Sequence, residues 1–442
     1  MDHTILKPMT TSSNQGAKLK QAFDRYELSE LIEPYLIYDD KKNSALVLIS
    51  VHHTRQISAH HGMEACQEIL DILIKQLKGF VKENCLLVRT GKHEFALLLQ
   101  NLNNPGHCQL ALNRLERDLN NKTLSVKSYT TKTRMTISGA LYPRHAITAE
   151  SLIQSSEIAQ HQAESTGVSH LMFTQVMSNR IEKQLKVETE LDLAIQRKSL
   201  EVWYQPKIDL RTQKLYGVEA LCRWKSNHDG FVSPEIFIPI AENSLMIKEL
   251  TEWVTNTSLR NLMEWHKLGL GINMAINMSG IVVDNEEFVE FIEHSCGVWG
   301  IKPKYVTIEV TETAMMQSFE TNLDKLNHLK DRGFTISMDD FGTGYSSLEY
   351  FKSLPVNEVK IDKSFVINMM DNEDDRKMVS MIAGLSRGFG LKIVAEGVEN
   401  EGSLQALKEL GVHRAQGYHI AKPMPEDEFL TWADFYLTNL DL

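Results

Sequence analysis

The chain has 442 residues, with 47 Lys and Arg against 58 Asp and Glu and a formal charge of −11. That length favours two domains over a single hydrophobic core. The acidic balance, with no clustered stretch of Lys and Arg, argues against DNA binding and admits a small anionic ligand only where a local cation offsets the charge.

In chain order, residues 1–20 are polar and read as a flexible arm. Residues 21–175 alternate β-branched runs (ALVLISV, CLLVRT, FALLLQ, RMTISGALY) with helical stretches such as MEACQEILDILIKQL, the pattern of an α/β domain. Residues 176–200 place Ile181, Leu185, Val187, Leu191, Ala194 and Ile195 at helical spacing among charges, which predicts a helical connector. From 201 to 442 one theme repeats: a short apolar run ending on a polar, usually acidic, residue, then a helical segment. The runs are VWYQPKIDL, VEALCRW, INMAINMS, VTIEVTE, FTISMDD, VNEVKID, LKIVAEGV and RAQGYHIA. Eight such strands predict a TIM-like (β/α)8 barrel, so the fold class is α/β. Only RTQKLYG joins the first two runs, less than the dozen or so residues of a parallel crossover, so one barrel strand should be antiparallel.

Cys66, Cys85, Cys108, Cys222 and Cys296 form no C-x-x-C pair, which fits free thiols in a reducing compartment. No signal-peptide core opens the sequence, and no stretch approaches the roughly 18 apolar residues of a spanning helix. A cytoplasmic protein without a membrane span is expected.

In a barrel of this kind, chemistry gathers at the carboxyl ends of the strands. Here those ends carry Glu219, Asn277, Glu309, Asp339, Asp340, Lys360, Asp362, Glu396 and Glu399. Buried carboxylates are costly unless paired or bound to metal, and oxygen donors without His or Cys favour Mg²⁺ or Mn²⁺ over zinc. Any one Asp reads equally well as a helix N-cap or a solvated strand end. The whole set does not. Adjacent Asp339 and Asp340 can serve two ions about 3.5 to 4 Å apart, which would clamp both oxygens of an in-line phosphodiester displacement. FGTGYSS, just downstream, supplies glycines and hydroxyls for a tight loop or an ordinary turn. Lys360 on the following strand is either a solvated charge or a group that orients a water.

YQPKIDL, Glu219-Ala220-Leu221 followed by Arg223, SPEIFIPIAE, INMS, IEVTE, MDDFGTGYSSL, VKID, IVAEGVE and AQGY occur in that order. Over Leu185 to Leu442 the chain thereby resembles an EAL phosphodiesterase domain. The resemblance implies two Mg²⁺ or Mn²⁺ ions and opening of cyclic di-GMP to linear pGpG. It places the metal ligands on Glu219, Asn277, Glu309, Asp339, Asp340 and Glu396, with Asp339 bridging. It sets Lys360 near the attacking water, with Asp362, Glu399 and Gln416 in supporting and water-ordering positions. Gln205 and Arg223 match substrate contacts, and Glu312 the residue that holds the FGTGYSS loop. Lys360 and Glu396 both stand as general base. A homodimer near that loop is implied too. The chain departs from the family at Asn243-Ser244-Leu245 and at Cys222. The competing reading is a catalytically silent receptor that binds cyclic di-GMP and signals to a protein partner.

The first domain resembles a GGDEF diguanylate cyclase domain in pattern. Arg89-Thr90-Gly91-Lys92-His93-Glu94-Phe95 stands where the family has R-x-G-G-D-E-F, and Ser50 and His52 stand where it has aspartates. Lys82 and Cys85 fall on its inhibitory R-x-x-D site. A cyclase needs carboxylates for metal and a glycine for close approach of the nucleotide. The expectation is a degenerate domain that makes no cyclic di-GMP and serves instead as a regulatory module for a protein or a nucleotide. His52, His53, His60 and His61 are read as solvated or partly buried side chains, since neither pair has metal-site spacing.

Overall fold

A computed structural model of the chain describes residues 22–36, 42–80, 85–120, 122–126, 129–226, 230–316, 319–342 and 353–440. The chain divides into two units, Met1–Lys183 and Gln184–Leu442. The arm at 1–20, Lys82, and Thr343 to Ser347 of the FGTGYSS segment lie outside the described residues.

In the first unit the β-branched runs become strands because helices cover both faces of one sheet. The strands are β1 (Asn43–Val51), β2 (Cys85–Arg89), β3 (Glu94–Leu102), β4 (Thr123–Val126), β5 (Tyr129–Lys132), β6 (Met135–Tyr142) and β7 (His170–Met172). Five of them form a sheet in the order β2-β3-β1-β6-β7, antiparallel except for the β6–β7 pair, while β4 and β5 form a separate hairpin. Side chains alternate across the pleat. Thus Ala45, Val47 and Ile49 of β1 pack with Ile69, Leu73 and Leu112, whereas Leu46 packs with Leu28, Ile32 and Leu152 on the other face. The cysteines carry no disulfide.

In the second unit each predicted run forms a strand. These are β8 (Glu201–Asp209), β9 (Leu215–Ser226), β10 (Gly230–Val232), β11 (Asn273–Asn277), β12 (Val306–Thr311), β13 (Thr335–Phe341), β14 (Glu358–Ile361), β15 (Lys392–Ala395) and β16 (Arg414–Ala415). From β9 through β11 to β16 the neighbours are parallel, and β8 closes the barrel by pairing antiparallel with both β16 and β9. The short β10 pairs with the end of β9 and extends that ribbon beyond the barrel. Reversal of β8 follows from the tight turn after it. Asp209 Oδ1 accepts from the backbone N–H groups of Arg211 (3.1 Å) and Thr212 (2.8 Å), and Gln213 takes φ 60°. Gly217 is required where β9 meets β11, since a Cβ there would stand 2.5 Å from the Asn273 carbonyl oxygen.

The helix Gln175–Gln196 leads into β8, and its Val187, Leu191, Ala194 and Ile195 belong to the barrel's apolar core. Because β8 runs backwards, its amino end lies at the same rim as the carboxyl ends of the other strands. Among the described residues no helix is long and apolar enough to cross a membrane.

Candidate active site

The strand ends bring carboxylates together around one ammonium group. Lys360, on β14, is fully buried, and its Nζ lies 2.6 Å from Glu396, 2.9 Å from Glu309, 3.0 Å from Asp339 and 3.4 Å from Glu219. Glu219 is held from three sides: Asn277 Nδ2 donates to it at 2.7 Å, Gln416 Nε2 at 2.8 Å, and Lys360 approaches the same oxygen as Gln416. Gln416 also donates to Gln205 at 2.8 Å, and Gln205 in turn donates to the Ala421 carbonyl at 3.1 Å. So Gln205, Glu219, Asn277, Glu309, Asp339, Lys360, Glu396 and Gln416 form one cluster.

Adjacent residues of a strand point to opposite faces, so Asp339 and Asp340 need a backbone irregularity to share a site. The structure supplies it. The β13–β14 register shifts between Met338 and Phe341, and Asp340 takes φ 56°, a left-handed conformation that Asp tolerates better than most residues. Glu312 is buried one strand away and accepts from the Gly342 N–H at 3.0 Å, where the FGTGYSS segment begins. Asp362 caps the helix Lys363–Asn368, accepting from the Ser364 N–H at 2.9 Å. Glu399 is exposed. Arg223 is half-buried and donates to the Cys222 carbonyl at 2.9 Å. Neither Asp362, Glu399 nor Arg223 joins the hydrogen bonds around Lys360 among the described residues.

One member of the site escaped the sequence reading. Lys207 of β8 is 2% exposed and is hydrogen-bonded and ion-paired to Glu309 Oε1, while Lys360 takes Oε2 of the same carboxylate. Its signal was its parity with Gln205: residues two apart on a strand share a face, and a barrel strand has no solvated inner face. Beneath it Glu358 pairs with Arg414 and accepts from Ser337 Oγ at 3.1 Å, and the Arg414 guanidinium lies 3.4 Å from the Tyr216 ring centroid.

Four carboxylates, Glu219, Glu309, Asp339 and Glu396, thus surround the Lys360 ammonium, Lys207 adds a second ammonium on Glu309, and Asp340 follows Asp339 with its N–H on that carboxylate. The imbalance shifts their protonation. Burial, and then the Glu219 charge, push Glu309 up to about 7. Burial, with Asp339 and Asp362 beside it, pushes Asp340 up to about 6. Burial raises Glu396 as well, against the pull of Lys360. Glu219 moves the other way: burial pushes it up, but Lys360, Lys207 and the Asn277 and Gln416 hydrogen bonds outweigh burial and hold it low. Lys360 stays firmly protonated, since burial alone would lower it and four carboxylates overrule that.

Among the described residues no three of His, Cys, Asp and Glu close into a metal cage; the carboxylates converge on the Lys360 ammonium instead. The donor set nonetheless suits hard divalent cations. It consists of carboxylate and amide oxygens with surplus negative charge, the chemistry that Mg²⁺ and Mn²⁺ satisfy. Beside the cluster opens a cavity of about 490 Å³ lined in part by Leu221, Arg223, Leu250, Thr251, Asn277 and Glu309. Cys222 also lines it, its thiol pushed up to about 12 by burial.

In the first unit, Ser50 pairs with Glu94 in the β1–β3 register, and His52 Nε2 shares a 2.7 Å hydrogen bond with Thr136 Oγ1. Arg89 closes the turn at Gly91 and Lys92 by bonding both carbonyls. His53 Nδ1 shares a 2.7 Å bond with Gln56, while His60 and His61 are exposed.

Comparison with known proteins places these units. The EAL domain model matches residues 188–423, and the "Diguanylate cyclase, GGDEF domain" model matches residues 22–170. The bifunctional diguanylate cyclase/cyclic di-GMP phosphodiesterase MucR of Pseudomonas aeruginosa is 30% identical over 393 residues, 88% of this chain and 57% of that protein. The cyclic di-GMP phosphodiesterase NbdA of the same organism is 28% identical over 386 residues, 87% of this chain and 49% of that protein. The chain spans about half the length of these relatives. A solved structure described as PaMucR phosphodiesterase, c-di-GMP complex, aligns with TM-score 0.54 and 36% identity over 55% of this chain and 99% of that one. With the barrel's match taking in more than half of its residues, the chain belongs to the EAL domain family and carries a GGDEF domain ahead of the barrel.

Proposed function

We propose that the chain hydrolyses cyclic di-GMP to linear pGpG, using two Mg²⁺ or Mn²⁺ ions, and that its GGDEF domain is regulatory. The observation that carries the reading is the convergence of Glu219, Glu309, Asp339 and Glu396 on Lys360, with Asn277 on Glu219. Relatives named as cyclic di-GMP phosphodiesterases support the substrate. Glu219, Asn277, Glu309, Asp339, Asp340 and Glu396 would hold the ions, which supply Lewis-acid polarisation of a phosphate and a more acidic water.

The chain's own groups do the rest. Water attacks phosphorus, the bond to the 3′ oxygen breaks, and the proton lost by water ends on the departing oxygen. Lys360 stays charged and stabilises the attacking oxygen as it loses that proton, with Glu396 beside it as the acceptor. Gln416 and Gln205 fix the orientation of Glu219, Glu312 holds the start of the loop at Gly342, and Arg223 suits a phosphate oxygen. Asp362 and Glu399 are assigned to ordering water near Asp340 and at the rim. Loss of aspartates at Ser50 and His52, with Lys92 and His93 in the signature turn, supports a first domain that cannot join two GTP molecules and instead answers to a protein or a nucleotide. Association as a homodimer near the FGTGYSS loop belongs to the same reading, and light scattering at micromolar concentration tests it.

The deciding experiment incubates the purified chain with cyclic di-GMP and Mg²⁺ or Mn²⁺ and separates the products, with Glu219→Ala as control. Formation of pGpG by the wild type alone is the expected result. Tight binding without any product would instead favour the silent receptor.

A further inference from the structure

Lys207 has no part in the chemistry assigned above, yet it is buried with the groups that do. It follows Gln205 by two residues on β8, so it shares the inner face one layer deeper, opposite Gly217 in the β8–β9 register. Strand β8 pairs with β9 and β16, whereas β12 lies between β11 and β13, so Lys207 reaches Glu309 across the barrel interior. Two lysines thereby divide one carboxylate. Lys207 holds Oε1 of Glu309, and Lys360 Nζ stands 2.9 Å from Oε2.

The two differ in how readily they let go. Lys360 is shared with Glu219, Asp339 and Glu396, so it keeps three partners when it yields Oε2 to a cation. Among the described residues Lys207 has a single ion pair, the one with Glu309, and leaving Oε1 would strand a buried ammonium. Oε1 therefore stays occupied, and Glu309 has one oxygen to offer. That number bears on which cation the cluster prefers. Ca²⁺ accepts a carboxylate through one oxygen or both and tolerates a large, irregular shell. Mg²⁺ demands a near-octahedral shell, which the narrow bite of a two-oxygen carboxylate fits poorly.

We propose that Lys207 is a positioning residue that ties down one oxygen of Glu309 and so biases the carboxylate cluster toward Mg²⁺ and Mn²⁺ and against Ca²⁺. The proposal rests on the divalent-cation reading above. A lysine present for charge alone would behave differently: its removal would strengthen the binding of every divalent cation alike, and proton uptake by Glu309 would weaken them alike. A freed Oε1 favours only the cation that accepts both oxygens. The ratio of affinities, rather than affinity itself, separates the two roles.

The test titrates the full chain with Mn²⁺, following the free ion by electron paramagnetic resonance, and then displaces it with Mg²⁺ or with Ca²⁺. Wild type is compared with Lys207→Met, Lys207→Leu and Lys207→Arg after circular dichroism confirms each fold. The ratio of the Mg²⁺ Kd to the Ca²⁺ Kd should rise about five-fold or more in either apolar variant that folds. In Lys207→Arg, which keeps a donor on Oε1, it should stay within about two-fold of wild type. Ca²⁺ should also inhibit Mg²⁺-supported formation of pGpG at lower concentration in the apolar variants. An apolar variant whose ratio stays within about two-fold of wild type would overturn the proposal, as would the same rise in Lys207→Arg, which would make packing the cause. If wild type binds no Mn²⁺, the divalent-cation reading itself falls, a result distinct from normal wild-type binding with a ratio that the substitutions leave intact.

Discussion

Replacing Lys360 by methionine removes the one group on which four carboxylates converge. The shape is kept, the charge is not. Leaving a buried ion without its partner costs about 3 to 5 kcal/mol, and proton uptake by the raised carboxylates offsets part of this, so about 3 kcal/mol is the working value. For a unit of the barrel's size each kcal/mol is worth about 2 to 4 °C, so the barrel should melt about 6 to 12 °C lower in EDTA. Mn²⁺ should reverse most of the deficit, because divalent cations neutralise the same carboxylates without help from Lys360. Hydrolysis should not return: loss of a group that steadies the attacking oxygen costs about 100-fold or more. The assay is thermal unfolding followed by circular dichroism, with and without Mn²⁺, beside chromatography of cleaved cyclic di-GMP. A melting temperature in EDTA within about 2 °C of wild type would refute the view that Lys360 neutralises the site, since that view requires at least the lower bound above. Activity above about one tenth of wild type would refute its part in the chemistry.

Calcium should replace Mg²⁺ in binding but not in turnover, because it prefers longer bonds and more ligands, and full hydrolysis with Ca²⁺ as the only divalent ion would contradict the assigned donor set. Glu219→Ala in the full chain, unable to destroy the product, should make no cyclic di-GMP from GTP and Mg²⁺ or Mn²⁺; accumulation of the product by chromatography would restore cyclase activity to the first domain. Leu245 holds φ 64° while 74% exposed, a conformation that costs a leucine about 1 kcal/mol or more, so Leu245→Gly should raise thermal stability slightly, and a lowered melting temperature would be the contrary result. His145 accepts from the Leu141 N–H at 3.1 Å, and burial followed by the Arg144 charge lowers its pKa. The fold therefore favours the neutral ring, so its contribution is complete above about pH 6.5 and is lost as acid protonates it. An NMR titration of its ring proton with a midpoint at or above 6.5 would refute that.

The barrel was legible because its strands are buried on both faces and read as unbroken apolar runs, and because RTQKLYG is too short to carry a parallel crossover. Strand-end acids were legible as a set. What each does was less so, because the end of a strand fixes where a residue starts and not where its side chain reaches. Asp362 ends β14 yet turns to cap the next helix. Asp340 reaches the cluster's surroundings only through a left-handed backbone and a slipped register, neither of which leaves a composition signal. Lys207 looked like any charge in a mixed stretch, and only the closure of the barrel around it makes it a partner of Glu309.

The reversed β8 changes where upstream sequence meets the strand-end carboxylates. In an all-parallel barrel the chain arrives at the floor and must cross the whole core before it reaches the carboxyl ends of the strands. Here it leaves the helix Gln175–Gln196, passes Glu201 and Trp203 at the mouth, and reaches Gln205 beside Glu219 before it descends to Lys207. The helix therefore feeds the barrel at the rim that carries the strand-end carboxylates, and not at the opposite floor.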